Sequence, residues 1–383
     1  MNTPAPRLKV LTVVGTRPEI IRLSAVIKRL DQHVDHVLVH TGQNYDYELN
    51  EVFFEDLGLP RPDHFLEADT SSLGAVLGSI LVKTEQVLLA EKPDAMLILG
   101  DTNSSISAVI AKRMKVPVFH MEAGNRSFDE NVPEETNRRL VDHVADYNLV
   151  YTEHARRNLL AEGLHPSRIR LTGSPMKEVL AQNADGVAGS TVLADEHLEA
   201  DGYFLVSLHR EENVDHAGRL ASILRGLNDV GVRYDLPVLV STHPRTRKRL
   251  EELGESFERL VFHKPFGFHD YLALQASARL VLSDSGTIAE ESSLMGFRAV
   301  TLRDAIERPE AEDTGSIILT GTTSSGIQRA VDYVLQGSST GAVPTDYQID
   351  DTSHRVLGNI LSSLPSHHAR TGIRTSTREA ESN

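Results

Sequence analysis

Three acidic side chains stand at positions where catalytic groups of α/β proteins are commonly found. Asp101 follows the apolar run 95–99, Glu122 follows the apolar run 116–120, and Glu134 opens a segment of helical period. Carboxylates serve as general acids and bases when their surroundings hold their pKa values apart. The three positions therefore predict proton-transfer chemistry at one edge of a parallel sheet.

Two of these carboxylates also have purely structural interpretations. Asp101 would make a good helix N-cap, because its side chain can accept a backbone N–H. Glu134 lies four residues before Arg138, a spacing that favours an ion pair along one helix. Spacing alone leaves both alternatives open.

Two arginines belong to the first helical segment. The first strand-like run ends at Gly15, and Arg17 and Pro18 follow it; proline suits a first helical turn because its missing N–H would be unpaired there. A guanidinium at a helix N-terminus favours an anion such as a diphosphate, and Arg22 lies about one turn further along. A surface salt bridge from either arginine to Glu19 is the alternative. The segment is not GxGxxG, so it gives no support for a dinucleotide.

The second half of the chain carries a histidine and a glycine turn at strand ends. His209 follows an apolar run; a lone histidine is more often structural, but this position also suits catalysis. Ser285, Gly286 and Thr287 form a strand-to-helix turn whose N–H groups and helix dipole are typical of phosphate binding. Glu291, one turn into that helix, would accept ribose hydroxyls or else lie on a solvated helix face.

Short apolar runs alternate with amphipathic segments, which indicates βαβ units and a fold of class α/β. The runs are 8–14, 37–40, 95–99 and 116–120, and, after an interruption, 203–208, 238–241, 260–263, 280–283 and 299–302. This pattern predicts two doubly wound parallel-sheet domains. Ligands of such domains bind beyond the carboxyl ends of the strands, so we expect an active-site cleft between the two.

A stretch of loose composition separates the two series of runs. We predict a first domain over residues 1–182, a hinge over 183–201 and a second domain over 202–350. The segment 366–383 is polar and without pattern, which predicts a disordered tail.

Charge and residue usage exclude several classes of function. The 383 residues include 39 Lys plus Arg against 54 Asp plus Glu, a net charge of −15 that disfavours nucleic acid and anionic membranes as partners. The sequence has no cysteine, which excludes disulfides, thiolate metal sites and a cysteine nucleophile. The N-terminus has no apolar core of a signal peptide, and no stretch approaches the roughly 18 apolar residues that span a bilayer. We therefore expect a cytoplasmic protein.

Seven segments taken together resemble the non-hydrolysing UDP-N-acetylglucosamine 2-epimerase family over roughly residues 8–365. In chain order they are Gly15-Thr16-Arg17-Pro18-Glu19, Gly100-Asp101-Thr102, His120-Met121-Glu122-Ala123-Gly124, Pro133-Glu134-Glu135-Thr136-Asn137-Arg138, His209-Arg210-Glu211, Ser283-Asp284-Ser285-Gly286 and Glu307-Arg308-Pro309-Glu310. The resemblance implies GT-B architecture, with two Rossmann-like domains. It also implies a homodimer and a helix over 351–365 that packs back on the first domain.

The resemblance further implies inversion of C2 of a UDP-N-acetylhexosamine for the supply of cell-surface polysaccharide sugars. UDP is eliminated to give a 2-acetamidoglucal and is added back after reprotonation on the opposite face, with neither cofactor nor metal. Asp101, Glu122 and Glu134 match the family's catalytic carboxylates, and His209 matches its catalytic histidine. The substrate-binding positions carried over are Arg17, Arg22, Arg138, Ser285, Gly286, Thr287 and Glu291.

Several positions depart from the commonest form of the family. Arg22 stands where lysine is usual, and Thr287 replaces a second glycine. Activated members use a Gln-His-Arg segment to bind a second UDP-sugar, and Gln43-Asn44-Tyr45 does not reproduce it, so we expect no such activation. The segments 40–47, 122–128 and 264–271 look more like the branch that makes UDP-N-acetyl-L-fucosamine.

Three other functions use the same kind of site. A GT-B glycosyltransferase with a UDP-sugar donor is the first alternative, although such enzymes seldom line the donor site with three carboxylates. A hydrolysing epimerase would let water trap the intermediate, and a UDP-sugar sensor would show no turnover.

Overall fold

Parallel strands form two sheets in the computed structural model, which describes residues 7–42, 53–242, 244–337 and 341–373. One compact unit, called the first unit below, comprises Met1–Asn125, Pro133–Val179 and Ile349–Asn383; the second unit comprises Arg126–Val132 and Leu180–Gln348. The segment Gln43-Asn44-Tyr45 lies outside the described residues. Two Rossmann-like sheets of this kind are the fold that the alternating pattern predicts.

The first unit contains a seven-stranded parallel sheet of order β3-β2-β1-β4-β5-β6-β7. Its strands are β1 Lys9–Val14, β2 Asp35–His40, β3 His64–Phe65, β4 Ala95–Leu99, β5 Val118–Met121, β6 Tyr147–Val150 and β7 Ile169–Leu171. The helices between them are α1 Arg17–His33, α2 Leu73–Glu91, α3 Ser107–Arg113, α4 Pro133–Val144, α5 Glu153–Ala161 and α6 Met176–Gln182, with 3-10 turns at Asn103–Ile106 and Pro166–Arg168.

The second unit contains a five-stranded parallel sheet of order β10-β9-β8-β11-β12. Its strands are β8 Phe204–Leu208, β9 Val238–Thr242, β10 Leu260–His263, β11 Leu280–Ser283 and β12 Ala299–Thr301. The later helices are α7 Ala184–Ala188, α8 Val192–Asp195, α9 Glu211–Val214, α10 Ala217–Tyr234, α11 Pro244–Leu253, α12 Phe268–Ser277, α13 Ile288–Met295, α14 Pro309–Asp313, α15 Ser324–Gln336, α16 Thr352–Ser363 and α17 His367–Thr371, with 3-10 turns at Thr345–Gln348 and Leu364–Ser366.

The last helices belong to the first unit. Helix α16 packs against α1, where the Arg29 guanidinium donates to the Ser353 hydroxyl at 2.7 Å. The Thr352 hydroxyl donates to the carbonyl groups of Thr172 and Ser174 at 3.1 and 3.0 Å. These contacts tie the C-terminal segment to the loop that follows β7.

The expected hinge over 183–201 is folded as part of the second unit. It contains α7 and α8, and Val192 packs in an apolar cluster with Tyr203 and Leu205. The glycines and serines that make the composition loose lie beside these short helices. Local composition therefore gave no sign of the apolar contact that orders the segment.

The expected disorder from Ser366 onward does not begin at that residue. Helix α17 follows, and His367 is buried with its Nδ1 atom 3.1 Å from the Tyr147 hydroxyl of β6. This polar contact and the packing of the two rings order the start of the tail.

Helix α2 corrects the expectation that no stretch could span a bilayer. By length and composition alone this helix could cross a membrane, with a mean hydropathy of 1.5. It connects β3 to β4 in the sheet of the first unit, and Val76, Ile80, Thr84, Val87 and Leu88 are buried. Its apolar character therefore serves in part to pack a crossover helix.

Candidate active site

Glu19 connects the turn after β1 to the turn after β4. Thr16 and Glu19 form a capping box at the start of α1, and the Glu19 carboxylate accepts the N–H groups of Gly15 and Thr16. The hydroxyls of Thr102 and Ser104 also donate to it, at 2.7 and 2.5 Å. Burial raises the pKa of Glu19, and these hydrogen bonds oppose that rise. Glu19 is thus a structural acceptor between the two turns.

Arg17 occupies the first position of α1, as the sequence predicts. Its guanidinium carbon lies 5.2 Å from the centroid of the Phe53 ring, a cation–π distance. The helix dipole adds to the positive potential at this guanidinium, which favours an anion there.

Arg22 and Glu122 form a buried ion pair in the first unit. Arg22 is 8% exposed and Glu122 is 7% exposed, and the guanidinium donates to the carboxylate. The Asn125 amide approaches the second carboxylate oxygen at 3.4 Å. Arg22 is therefore not the surface residue of the alternative interpretation; it stabilises the ionised form of Glu122.

The backbone at Glu122 is held in a left-handed conformation, with φ of +64°. For a residue other than glycine or asparagine this conformation costs about 1–3 kcal/mol, and it persists only where its surroundings enforce it. The following Gly124 has φ of +79°, and its N–H group donates to the Asp142 carboxylate at 3.1 and 3.2 Å. Asp142 thereby fixes the turn that presents Glu122.

His120 supports the same turn from the end of β5. Its Nε2 atom lies 2.8 Å from the Gly100 carbonyl oxygen, which can only accept, so Nε2 carries a hydrogen. Its Nδ1 atom lies 3.0 Å from the Asp142 carboxylate, and both side chains are fully buried. The turns after β4 and β5 are consequently tied to one buried acidic group.

Asp101 forms an ion pair with a residue of α4 and is not a helix N-cap. Thr102 caps the 3-10 turn that follows, whereas the Asp101 carboxylate accepts from the Arg138 guanidinium. Arg138 also donates to Glu135 at 2.8 Å, and the Asn137 amide donates to the Asp101 carbonyl at 3.0 Å. Arg138 therefore links α4 to the turn after β4.

Two of the three predicted catalytic carboxylates, Asp101 and Glu122, lie at one edge of the first sheet. β4 and β5 are hydrogen-bonded neighbours, so Asp101 and Glu122 follow adjacent strand ends. Glu134 lies one helical turn before Arg138, near the start of the helix that contacts Asp101. The sequence order of these residues becomes a spatial group because parallel strands end at the same edge.

In the second unit, His209 pairs with a fully buried aspartate. Its Nδ1 atom lies 3.1 Å from an oxygen of Asp284, while 44% of the histidine side chain is exposed. Burial alone would raise the pKa of Asp284, but the His209 charge and hydrogen bonds from His209, Arg210 and Asn213 outweigh it and lower the pKa. Asp284 therefore stays ionised.

In the turn Ser285-Gly286-Thr287, two of the N–H groups that were expected to face a phosphate already donate to protein hydroxyls. The Ser285 N–H donates to the Ser283 hydroxyl at 3.0 Å, and the Thr287 N–H donates to the Ser285 hydroxyl at 3.3 Å. Thr287 is the N-cap of α13, so the dipole of that helix still begins at this turn. An anion here would meet the helix dipole together with the two hydroxyls.

Glu291 lies inside the second unit and not on a solvated helix face. It is 8% exposed and accepts from the Gln275 amide at 2.7 Å. A hydroxyl-rich ligand would find a carboxylate that is already oriented.

Two other arginines near the turn are neutralised by carboxylates. Arg303 makes a two-point contact with Glu307 at 2.8 and 2.9 Å, and Arg308 donates to Glu290 at 2.7 Å. Arg303, Glu307 and Arg308 line a small recess together with Ser285 and Gly286. Its walls therefore carry paired charges rather than an excess of positive charge.

Sequence reasoning missed four residues that hold the candidate groups in place. Glu19 was detectable, because Thr16-Arg17-Pro18-Glu19 has the spacing of a capping box. Asp284 was visible as a strand-end aspartate, but its histidine partner lies 75 positions earlier in the chain. His120 and Asp142 carry no local signal, since their roles depend on the packing of β5 against α4. Among the described residues, no group of three or more His, Cys, Asp or Glu side chains could hold a metal ion.

Comparison with known proteins identifies the family of the chain. Residues 28–361 match the family model described as UDP-N-acetylglucosamine 2-epimerase. A structure of UDP-N-acetylglucosamine 2-epimerase from Rickettsia bellii is 43% identical, with TM-score 0.89 over 96% of this chain and 100% of that chain. A structure of Methanocaldococcus jannaschii UDP-GlcNAc 2-epimerase in complex with UDP-GlcNAc and UDP is 36% identical, with TM-score 0.88 over 93% and 100% of the two chains.

A relative that is named for a different substrate has a comparable sequence identity to this chain. The UDP-2,3-diacetamido-2,3-dideoxy-D-glucuronate 2-epimerase of Pseudomonas aeruginosa is 38% identical over 319 residues, which are 82% of this chain and 88% of its own. The fold and the site define an isomerase with GT-B-type α/β units. The chain belongs to the non-hydrolysing UDP-N-acetylglucosamine 2-epimerase family.

We predict that Gly124→Ala destabilises the protein more than Gly58→Ala does. Both glycines have positive φ, but a Cβ atom at Gly124 would lie 2.4 Å from the Ala155 carbonyl oxygen, whereas one at Gly58 would meet nothing within 4 Å. The left-handed backbone alone costs about 1–2 kcal/mol. With the steric clash added, Gly124→Ala should lower the free energy of unfolding by about 2–5 kcal/mol. Urea unfolding of both variants measures the difference, and equal losses would contradict the packing described for the Glu122 turn.

Proposed function

We propose that this protein inverts C2 of a UDP-N-acetylhexosamine by eliminating UDP and adding it back. The observation that carries the proposal is the pair of carboxylates at adjacent strand ends, Asp101 and Glu122, each held by an arginine, Arg138 and Arg22. One ionised carboxylate can remove a proton from a carbon, and a second, protonated carboxyl group can supply a proton to its opposite face.

The chemistry of the sugar explains why UDP must leave first. The hydrogen on C2 lies beside an acetamido group and no carbonyl, so it is a very weak acid. As the bond from C1 to the phosphate oxygen lengthens, C1 becomes oxocarbenium-like and the C2 hydrogen becomes removable by a carboxylate. The protein must therefore stabilise negative charge on the departing diphosphate and positive charge near C1.

The first unit supplies the acidic groups for this step. We assign proton transfer at C2 to Glu122 and Asp101, and stabilisation of C1 to Glu134. Arg22 and Arg138 hold the Glu122 and Asp101 carboxyl groups in fixed orientations. Inversion follows because one ionised carboxylate removes the C2 proton, while the other carboxyl group, protonated by exchange with solvent, gives its own proton to the opposite face.

The second unit supplies the nucleotide-binding groups. We assign the diphosphate to His209 and to the Ser285–Thr287 turn at the start of α13, and the ribose hydroxyls to Glu291. Arg303 and Arg308 are matched by Glu307 and Glu290, so they add little net charge. Arg17 of the first unit, at the start of α1, is the further cation that we assign to the diphosphate.

We propose UDP-GlcNAc and its C2 epimer as the substrate pair. Relatives that are named UDP-N-acetylglucosamine 2-epimerase support this choice. The segments 122–128 and 264–271 favour instead a 6-deoxy-L-sugar of the N-acetyl-L-talosamine type. Comparing kcat/KM for UDP-GlcNAc and UDP-N-acetyl-6-deoxy-L-talosamine distinguishes the two. A cytoplasmic role in supplying sugars for surface polysaccharides fits either substrate.

We predict that Glu122→Gln lowers kcat for C2 epimerisation by about 10²- to 10⁴-fold, the usual contribution of one general acid–base group. The amide cannot accept the C2 proton, although it keeps the shape of the side chain. Chromatographic separation of the two epimers gives initial rates, and melting curves show that the variant is folded. Glu130→Gln is the matched control, because Glu130 is exposed in the loop between Glu122 and Glu134. Wild-type kcat in Glu122→Gln would remove Glu122 from the mechanism.

We also propose that the protein is a homodimer and that a second copy covers the outer face of α2. Val82 and Leu89 are 55% and 61% exposed. They lie one turn and about three turns after Gly78, and a Cβ atom at Gly78 would meet nothing within 4 Å, so the three positions form one open helix face. Large apolar side chains grouped on one exposed face mark interaction sites.

We predict that Leu89→Arg converts the dimer to a monomer, because the guanidinium would be buried without a partner. Light scattering during size-exclusion chromatography gives the mass. Tyr333→Arg is the control, since Tyr333 is 71% exposed on α15 of the second unit. A Leu89→Arg protein with the mass of two chains would exclude this face as the interface.

A further inference from the structure

Asp284 and His209 are brought together by two neighbouring strands of the second sheet. His209 follows β8 and Asp284 follows β11, and these strands pair in parallel with Ser207 opposite Ser283. The Asp284 N–H also donates to the Ser207 carbonyl at 3.1 Å. The register of the sheet therefore fixes the separation between the aspartate and the histidine.

The Asp284 carboxylate is surrounded by hydrogen-bond donors. One oxygen, Oδ1, lies 3.1 Å from the His209 N–H nitrogen and 3.1 Å from His209 Nδ1. The other oxygen, Oδ2, accepts from the Arg210 N–H at 3.0 Å and from the Asn213 amide at 3.1 Å, and it lies 3.2 Å from the His209 nitrogen. A carboxylate without exposure to water that faces only donors has a fixed orientation and a fixed charge.

We propose that Asp284 is a positioning residue that keeps a hydrogen on Nδ1 of His209 and so assigns Nε2 to the departing diphosphate. This inference rests on the proposed function, because it presumes a leaving UDP group. The two ring nitrogens lie on opposite sides of the imidazole, so a ring that presents Nδ1 to Asp284 directs Nε2 away from it. The 44% exposure of the side chain leaves that side accessible to a ligand.

The proposed role in the reaction involves charge and no net proton transfer. When the bond between C1 and the phosphate oxygen breaks, its electron pair leaves with the oxygen. Protonated His209 then donates a hydrogen bond from Nε2 to that oxygen, while Asp284 balances the imidazolium charge through Nδ1. When UDP adds back, the electron pair re-forms the bond to C1 and the imidazole keeps its hydrogens.

The substitution Asp284→Asn reverses the hydrogen bond to the ring. Oδ2 accepts from Arg210 and Asn213 and also lies near the His209 N–H, whereas Oδ1 faces only that N–H and Nδ1, so the single amide oxygen of asparagine is expected to take the Oδ2 position. Its NH₂ group then faces Nδ1 of His209 and donates to it. A nitrogen that accepts a hydrogen bond carries no hydrogen, so the imidazolium can no longer form in this orientation.

Nitrogen NMR of the protein labelled with ring-¹⁵N histidine tests this directly, without substrate. The His209 signals are identified by their loss in His209→Asn. We expect Nδ1 to carry a hydrogen in the wild type and to lose it in Asp284→Asn, with melting curves showing that both proteins are folded. A wild-type His209 with hydrogen on Nε2 only would overturn the proposal, whether or not the protein epimerises a UDP-sugar.

Kinetics separate the positioning role from a general structural one. We expect Asp284→Asn to lower kcat by about 10²- to 10⁴-fold in the wild-type background and to leave kcat unchanged in the His209→Asn background. An equal loss in both backgrounds would show that Asp284 acts through the fold alone and would overturn the proposal. If the wild type turns over no UDP-sugar, the proposed function fails while the NMR result still decides the role of Asp284.

Discussion

A carboxylate that loses contact with water stays ionised only where cations or N–H groups face it, and both sheets of this protein supply such groups at the turns after their strands. Glu122 faces the Arg22 guanidinium, and Asp101 faces that of Arg138. Asp284 faces the backbone and ring of His209 as well as two further donors. The orientation of His209 depends on its pairing with Asp284, and the turn at Glu122 depends in the same way on the Gly124 N–H that faces Asp142.

The same pairings determine which groups can act on a substrate. An arginine that neutralises a carboxylate, as Arg303 does for Glu307, contributes structure and little net potential. A carboxylate held at a strand end remains an oriented proton acceptor even when an arginine is beside it. The proposed reaction uses this difference, since it assigns proton transfer to Glu122 and Asp101 and gives Arg303 and Arg308 no part in it.

Much of the fold and of the candidate site could be predicted, because both depend on local pattern. Strands β4, β10 and β11 coincide with the apolar runs read from the sequence, and Asp101 and Glu122 follow strands as expected. Strands β3, β6 and β7 were not predicted, because β3 and β7 have only two and three residues and because Asn148 and Arg170 interrupt the apolar pattern of β6 and β7. Pairings such as that of Asp142 with Gly124 and His120 were not predictable either. They join residues on different elements, and only the packing of β5 against α4 decides them.

The central claim is that one ionised carboxylate removes the proton from C2, and a second carboxyl group supplies a solvent-derived proton, while UDP departs and comes back. Proton NMR of the wild-type protein with UDP-GlcNAc in D₂O tests this most directly. The account predicts that deuterium appears at C2 of a sugar that is still linked to UDP, in both epimers. Free UDP that accumulates while C2 keeps its hydrogen would contradict the account and would instead indicate transfer or hydrolysis.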